Sequence, residues 1–286
     1  MKVTLISGSE RMVLTNHPFQ LSKKINLSGL GADITAIDTN RDGADYLKSL
    51  FNTRDVDFEG YIRTYGMKKE TVQKHREKLY RIWNPKNKVT ITFEDENNFY
   101  QIEGYPVSFP IFQDGFQNSN NTYQRFLLQM TCLDPFLYKN KKTITFANVI
   151  PEFSFPLAFT DVVFGTKSDS LIESVVNTGI MHCPIEIVMK ANGTVVNPSL
   201  LNVYTGEKIL FNATIENGEQ IYMNTGRTKE VSKITSNGKE NFYYALDLDA
   251  DFLQLNVGDN IFRFSAEQGE QFLQVEVSYK ERLGGI

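Results

Sequence analysis

The residues with the clearest potential for chemistry form a short acidic motif near position 40. Asp38, Asn40 and Asp42 alternate with other residues and are followed by Gly43, which matches the first six positions of an EF-hand calcium loop. The twelfth position of that loop requires a bidentate glutamate, but Ser49 stands there, and no helical pattern flanks the motif. Turn chemistry explains the same residues equally well. We therefore expect an ordinary turn, with calcium binding as the weaker interpretation.

No other catalytic or cofactor signature stands out. The three histidines, His17, His75 and His182, are far apart, and none has a metal-ligand spacing. The chain has neither a glycine-rich phosphate loop nor a Gly-x-Ser-x-Gly nucleophile elbow. A pair of acidic residues could serve glycoside hydrolysis, but nothing in the sequence selects one pair. We expect no catalytic, cofactor-binding or metal-binding residues, and therefore no enzyme.

The two cysteines, Cys132 and Cys183, each lie in an apolar, strand-like context. Such cysteines usually behave as small buried hydrophobes. A disulfide or a metal pair is not expected, which agrees with folding in a reducing cytosol. The first ten residues do not resemble a signal peptide, and no apolar stretch approaches the roughly 18–20 residues of a membrane span. We expect no membrane insertion.

The composition is that of a folded, strand-rich protein. Of the 286 residues, 41% are hydrophobic and 22% charged, and the 21 Phe and 13 Tyr favour strands over helices. A net charge of -4 argues against nucleic acid as a specific partner. Residues 1–140 contain 18 basic and 16 acidic side chains, whereas residues 141–286 contain 12 and 18. This shift coincides with a domain boundary near residue 140.

The first half predicts an α+β domain. Alternating apolar residues over 124–132 are typical of a half-buried strand, which Pro135 terminates. An amphipathic helix is predicted over residues 68–83, because Val72, Leu79 and Trp83 share one stripe. Other strands are predicted at 34–37, 58–63, 89–93 and 99–103. A loop with short pieces of structure is predicted at 40–56, and a flexible loop at 113–122.

The second half predicts a β-sandwich or a barrel. Turn signals such as Asn192-Gly193 and Asn217-Gly218 recur along it at short intervals. Between such turns, alternating apolar residues predict strands at 185–189, 209–215, 242–248 and 273–279. Regular short strands with this punctuation are typical of all-β sandwiches and barrels.

Short segments along the whole chain carry a family resemblance. In the first half these are an opening hairpin, Gly29-Leu-Gly31, a Thr-x-Arg-Asp-Gly segment at 39–43, a helix ending near Trp83-Asn-Pro85, and a close at Cys132-x-Asp-Pro-Phe136. The second half adds Asn177-Thr-Gly-Ile, Cys183-Pro-Ile-Glu-Ile187 and Gly258-Asp-Asn260. In this order they resemble the distal tail proteins of long-tailed bacteriophages that infect Gram-positive bacteria.

The resemblance implies a fold and a structural role. Residues 1–140 would be a ring-forming, mostly-β domain with one amphipathic helix, and residues 141–286 a galectin-like β-sandwich. Six copies would form a ring, stacked in some assemblies, at the tail tip or baseplate of a phage or prophage. The ring would join the tail tube protein to the tail-associated hub or lysin protein and dock receptor-binding proteins for host attachment. The protein would be made in the host cytoplasm and end in the virion, without a cofactor.

Two segments are the expected ring interface, and two other functions stay open. The opening hairpin at 1–37 and the segment 105–122 are candidates for contacts between ring subunits. A carbohydrate-binding sandwich that recognises cell-wall polysaccharide would instead use exposed aromatic rings, and a hydrolase would need a matched carboxylate pair. The candidate rings for sugar stacking are Tyr204, Tyr222, Tyr243 and Tyr244.

Overall fold

Strands make up most of both halves of the chain. The computed structural model describes residues 1–23, 25–65, 71–146 and 172–286, together with the backbone of a short strand pair at 149–150 and 166–167. The chain divides into two units, Met1–Asn140 with Leu283–Ile286, and Lys141–Arg282. Within the described ranges, no helix is long and apolar enough to cross a membrane.

The first unit contains twelve of the strands and the α-helix α1 (Val72–Ile82). The strands are β1 (Lys2–Ser7), β2 (Glu10–Val13), β3 (Phe19–Leu21), β4 (Ala32–Asp38), β5 (Ala44–Phe51), β6 (Arg54–Arg63), β7 (Val89–Glu94), β8 (Phe99–Pro106), β9 (Ile111–Phe112), β10 (Ser119–Asn120), β11 (Tyr123–Cys132) and β12 (Leu137–Tyr138).

The described residues of the second unit form strands and two short 3₁₀ turns, Tyr243–Ala245 and Glu270–Phe272. Its strands are β13 (Lys142–Phe146), β14 (Val149–Ile150), β15 (Thr166–Lys167), β16 (Ile172–Asn177), β17 (Cys183–Ala191), β18 (Val195–Val196), β19 (Ser199–Asn202), β20 (Lys208–Leu210), β21 (Thr214–Ile215), β22 (Gln220–Asn224), β23 (Glu230–Thr235), β24 (Gly238–Asn241), β25 (Gln254–Leu255), β26 (Gly258–Ser265) and β27 (Leu273–Tyr279). The last strand, β28 (Arg282–Leu283), crosses the division between the units.

An antiparallel sheet in the order β2-β1-β7-β8-β11-β6-β3 organises the first unit. The strand predicted over 124–132 is confirmed as β11, whose burial alternates along its length, with Phe126, Leu128, Met130 and Cys132 buried. This alternation arises because successive side chains of a strand point to opposite faces of the sheet. The predicted strands at 34–37, 58–63, 89–93 and 99–103 lie within β4, β6, β7 and β8.

The predicted helix is present but begins later than expected. Thr71 caps it by accepting a hydrogen bond from the backbone N–H of Lys74 at 3.4 Å, and the helix ends at Ile82. Residues 68–70, where the predicted helix begins, lie outside the described residues. The predicted apolar stripe is buried, and Trp83 packs edge-to-face on Phe58 at 5.9 Å between ring centroids.

One element of the first unit contradicts the sequence prediction. Residues 40–56 were expected to form a loop with short pieces of structure, but Ala44–Phe51 is a regular eight-residue strand paired with β4. Phe51 contacts Phe136 edge-to-face at 5.5 Å between ring centroids, but every residue of both strands is exposed, so burial imposes no strict alternation on their side chains. A register shift after Thr35 further disturbs the period. The alternation of apolar and polar residues that is typical of a half-buried strand is therefore absent from β5.

Two antiparallel sheets of the second unit form a β-sandwich. One has the order β13-β27-β17-β22-β23-β24, and the other β16-β26-β19-β20. Both contribute to one hydrophobic core, with Ile187 and Val277 from the first sheet and Leu200 and Phe264 from the second. The predicted strands at 185–189 and 273–279 are confirmed as β17 and β27.

Two predicted strands of this unit were wrong. The segment 209–215 is split into β20 and β21. The segment 242–248 is not a strand, because the side chain of Asn241 accepts a hydrogen bond from the backbone N–H of Tyr243 at 3.0 Å and starts a turn. Phe242 and Ala245 are then buried three residues apart, while Leu248 is fully exposed.

Candidate functional site: two exposed surfaces of the first unit

The hairpin of β4 and β5, called the hairpin arm below, is exposed along its whole length. All seven residues of β4 and all eight residues of β5 are exposed to solvent. Among the described strands, these two pair with each other alone, so each has an outer edge of backbone groups without a strand partner. Unpaired edges of this kind are templates for pairing with another chain.

Local hydrogen bonds fix the base and the tip of the arm. At the base, Asn52 donates its backbone N–H to the carbonyl oxygen of Gly31 and its side-chain amide to Asp33, both at 3.0 Å. At the tip, the Thr39 hydroxyl donates to the carbonyl oxygen of Gly43 at 3.3 Å. Gly43 has a φ of +97°, a conformation that residues with a Cβ rarely adopt. The arm is therefore a built element with a defined turn.

One face of the arm is apolar. Directly opposed residues of an antiparallel pair lie on the same face. The opposed pairs on this face are Ala32–Phe51, Ile34–Ser49 and Ala36–Tyr46. Ile34 is 70% exposed, Tyr46 65% and Phe51 45%. Contiguous large apolar side chains at this exposure are unusual on the surface of a soluble monomer and indicate an interaction site.

A second exposed surface, called the aromatic patch below, is formed by Tyr80 of α1 and Phe109 after β8. The two ring centroids lie 5.9 Å apart, and Phe109 is 50% exposed. Below them, Phe112 contacts Tyr80 at 5.4 Å, and the Arg76 guanidinium lies 4.4 Å from the Phe112 ring centroid. The cation and the rings attract each other through the ring quadrupole. The patch is thus held in place by contacts on its inner side.

The helix that bears the patch is basic. Its residues include Lys74, Arg76, Lys78 and Arg81, with Glu77 as the one acidic side chain, for a formal charge of +3. The arm has the opposite sign, because four aspartates outnumber Arg41 and Lys48 over residues 32–51. The first unit therefore presents two apolar surfaces in oppositely charged surroundings.

The outward face of β6 and β11 has a different character. Asp55 and Asp57 are exposed on it. Glu59 accepts a hydrogen bond from Arg125 at 3.0 Å, and this bond holds the pKa of the Glu59 carboxyl below its ordinary value. This face is acidic and ion-paired, and it lacks the exposed apolar side chains of the other two surfaces.

The calcium-like motif lies at the tip of the arm. Asp38 ends β4, and Asn40 and Asp42 lie in the turn beside Gly43. Within the part of the chain that the structure describes, no three His, Cys, Asp or Glu side chains are grouped so that they could hold a metal ion. The structure gives this motif the geometry of a hairpin turn.

The histidines and cysteines form no metal-binding group among the described residues. His75 is buried, with its ring edge-on to Phe19 at 5.6 Å, whereas His17 and His182 are exposed. Both cysteines are fully buried and unbonded to each other. Burial raises the pKa of Cys132 to about 12 and that of Cys183 to about 11. Such thiols are unreactive as nucleophiles.

The four candidate tyrosines for sugar stacking do not converge. Tyr244 is 79% exposed and contacts Phe242 at 5.2 Å, but no ring contact joins any of these tyrosines to another, all four being among the described residues. A polar groove of about 690 Å³ in the same unit is lined by Glu219, Lys233 and neighbouring residues, none of them aromatic. Sugar binding by stacking therefore stays a prediction without a built site.

The segment 105–122 is more ordered than the sequence suggests. We expected a flexible loop at 113–122, but β10 pairs with β11, and the Gln124 side chain donates to the carbonyl oxygen of Gln113 at 2.8 Å. Phe116 is fully exposed within it. The opening hairpin of β1 and β2 is also present, and β1 is paired on both sides, by β2 and β7. Of the arm, the strand predicted at 34–37 lies in β4, whereas β5 was not predicted. The arm is the most exposed element of the unit.

Two family models match this chain. Residues 6–132 match the phage tail protein RIFT-related domain, and residues 178–283 match the siphovirus-type tail component, C-terminal domain. No curated protein matches the chain in sequence.

Two solved structures share the fold. One is the crystal structure of the Dit protein of phage SPP1, described as a paradigm of the hub adsorption apparatus in phages that infect Gram-positive bacteria. It has 15% sequence identity and a TM-score of 0.68, and the match covers 98% of each chain. A chain of the activated phage P2 baseplate with calcium has 12% identity and a TM-score of 0.58, covering 100% of this chain and 99% of that one.

The fold and the exposed surfaces define a structural, interaction-bearing protein of two β-rich units. The family models together match most of both units, and the shared fold extends over nearly the full length. The chain belongs to the siphovirus-type distal tail protein family. It is accordingly a structural component of a phage tail or baseplate, and of the virion.

Proposed function

We propose that this protein forms a homo-hexameric ring at the tail tip, built by residues 1–140. The ring joins the tail tube protein to the tail-associated hub or lysin protein. The second unit, Lys141–Arg282, docks receptor-binding proteins and so contributes to host attachment. The protein is made in the host cytoplasm and acts without catalysis.

The observation that carries this proposal is the hairpin arm. A two-stranded sheet that buries neither face is marginally stable on its own in water. The exposure of Ile34, Tyr46 and Phe51 keeps apolar area in contact with water, which self-association would remove. A ring supplies a neighbour to every copy through one repeated interface. Family membership supports a tail assembly as the place where this happens.

Light scattering of the purified protein across a concentration series tests the proposal. The expected result is a mass of six chains, or twelve where two rings stack, that persists on dilution into the micromolar range. A single-chain mass at every concentration would contradict self-assembly by this chain. A matched variant, Leu248→Lys, changes a fully exposed apolar residue of the second unit and is expected to assemble as the unaltered protein does.

A further inference from the structure

We infer that the hairpin arm of one copy docks on the aromatic patch and the basic face of α1 of the next copy. The inference rests on the proposed ring and names the two surfaces that meet in it. Both surfaces belong to the first unit and both expose large apolar side chains, Ile34 and Tyr46 on the arm and Phe109 beside Tyr80 on the patch. Contact between the two surfaces would bury the exposed apolar side chains of both.

The opposite net charges of the hairpin arm and α1 favour contact between these two surfaces. The arm has a formal charge of -2 over residues 32–51, and α1 has +3. Opposite charges around two apolar surfaces favour their encounter and fix their orientation. The outward face of β6 is a poorer partner, because its exposed Asp55 and Asp57 would repel the acidic arm. Two arms would repel each other for the same reason.

The symmetry of the contact agrees with a ring. The arm and the patch are different surfaces, so contact between them is heterologous, the type of contact that forms a ring when its repeated rotation completes a full turn. Contact of an arm with another arm would be isologous and would stop at a dimer. An eight-residue strand spans about 27 Å, which is long enough to cross an interface of about 800 Å² per partner.

A pair of complementary variants tests the inference. The arm variant combines Ile34→Lys with Tyr46→Lys. These changes remove apolar area and add positive charge, which the positively charged helix α1 would repel. The patch variant combines Tyr80→Glu with Phe109→Glu. These changes add negative charge, which the negatively charged arm would repel. All four side chains are more than a third exposed, so both variants should keep the circular dichroism and unfolding of the unaltered protein. Leu248→Lys is the control.

Each variant alone should be a monomer, whereas an equimolar mixture should assemble into a heterodimer or a larger species. In the mixture, the intact arm of the patch variant docks on the intact patch of the arm variant, and the lysines of the altered arm have the opposite charge to the glutamates of the altered patch. Sedimentation velocity at a concentration tenfold above that of wild-type assembly resolves these species. The inference is overturned if either variant assembles alone or if the mixture stays monomeric. In both cases, rings formed by the wild-type protein would still support the proposed function. Monomeric wild type overturns both.

Discussion

Arg54 donates a hydrogen bond to the carbonyl oxygen of Gly284, 230 positions further along the chain. The same guanidinium donates to the carbonyl oxygen of Leu27 at 2.7 Å, and its side chain is 7% exposed. Burial lowers the pKa of Arg54. A Cβ built at Gly285 would lie 2.8 Å from the Leu27 carbonyl oxygen, so the last residues pack closely. One buried cation thus holds the end of the chain in the first unit.

Arg54→Met should destabilise the first unit by about 1–3 kcal/mol, because the buried carbonyl oxygen of Leu27 and the partly buried one of Gly284 lose their donor. The release of a buried charge offsets part of that loss. Chemical unfolding monitored by the fluorescence of Trp83, the single tryptophan, measures the change. Removal of residues 283–286 should have a similar effect, and Arg263→Met, at an exposed position, should have almost none. Equal stability of the Arg54 and Arg263 variants would refute the role of Arg54.

Gly60→Ala should also destabilise the first unit, by about 1–3 kcal/mol, through overpacking. A Cβ at Gly60 would lie 2.5 Å from Cζ of Phe126 and 2.7 Å from the carbonyl oxygen of Gln20. Gly31→Ala is the matched control, since the nearest atom to its Cβ is the Asn52 amide nitrogen at 3.9 Å. Thermal unfolding compares the two variants. Equal melting temperatures of the two variants would contradict the close packing around Gly60.

Native protein at pH 8 should resist thiol labelling. Cys132 and Cys183 are fully buried, and their pKa values of about 12 and 11 leave little thiolate at that pH. Unfolding in urea should expose both thiols, as counted by mass spectrometry. A Tyr46→Cys variant is the positive control and should gain one rapidly labelled thiol on the arm. Rapid labelling of the unaltered native protein would show that one of the buried sites opens.

Glu59→Gln should reduce the loss of stability in acid. The hydrogen bond from Arg125 lowers the pKa of Glu59 below its ordinary value of 4.5. A carboxyl with a depressed pKa in the folded state stabilises fully above its unfolded-state pKa, and that contribution is lost as the pH falls through the folded-state value. Denaturant unfolding from pH 7 to pH 3 should therefore show a shallower decline for the variant. Glu96→Gln, at an exposed position, should follow the unaltered protein.

The sequence predicts an element well where one face packs against a core. In β11 the buried set Phe126, Leu128, Met130 and Cys132 follows directly from alternation, because burial selects every second side chain. In the hairpin arm no face is buried within the unit, so Tyr46 and Leu47 are adjacent and exposed and the period is lost. Pattern analysis therefore found β4 but not β5, the other strand of the surface that we propose for ring assembly.

Most of the contacts that the sequence did not predict join residues that are far apart along the chain. No local pattern indicates that Arg54 meets residue 284, since the contact depends on the path of the whole chain. Tyr80 and Phe109 are likewise 29 positions apart, and only the fold brings their rings together. At Asn241, by contrast, a turn-forming side chain preceded the failed strand prediction and was a usable signal.

The symmetry of the assembled particle tests the central claim, a ring formed by this chain, most directly. Class averages from electron microscopy of the purified protein, taken at the concentration of assembly, give that symmetry without reference to any partner. The account predicts closed rings with sixfold rotational symmetry, and their loss in the Ile34→Lys, Tyr46→Lys variant. Particles without closed rings, or rings that persist unchanged in that variant, would contradict it.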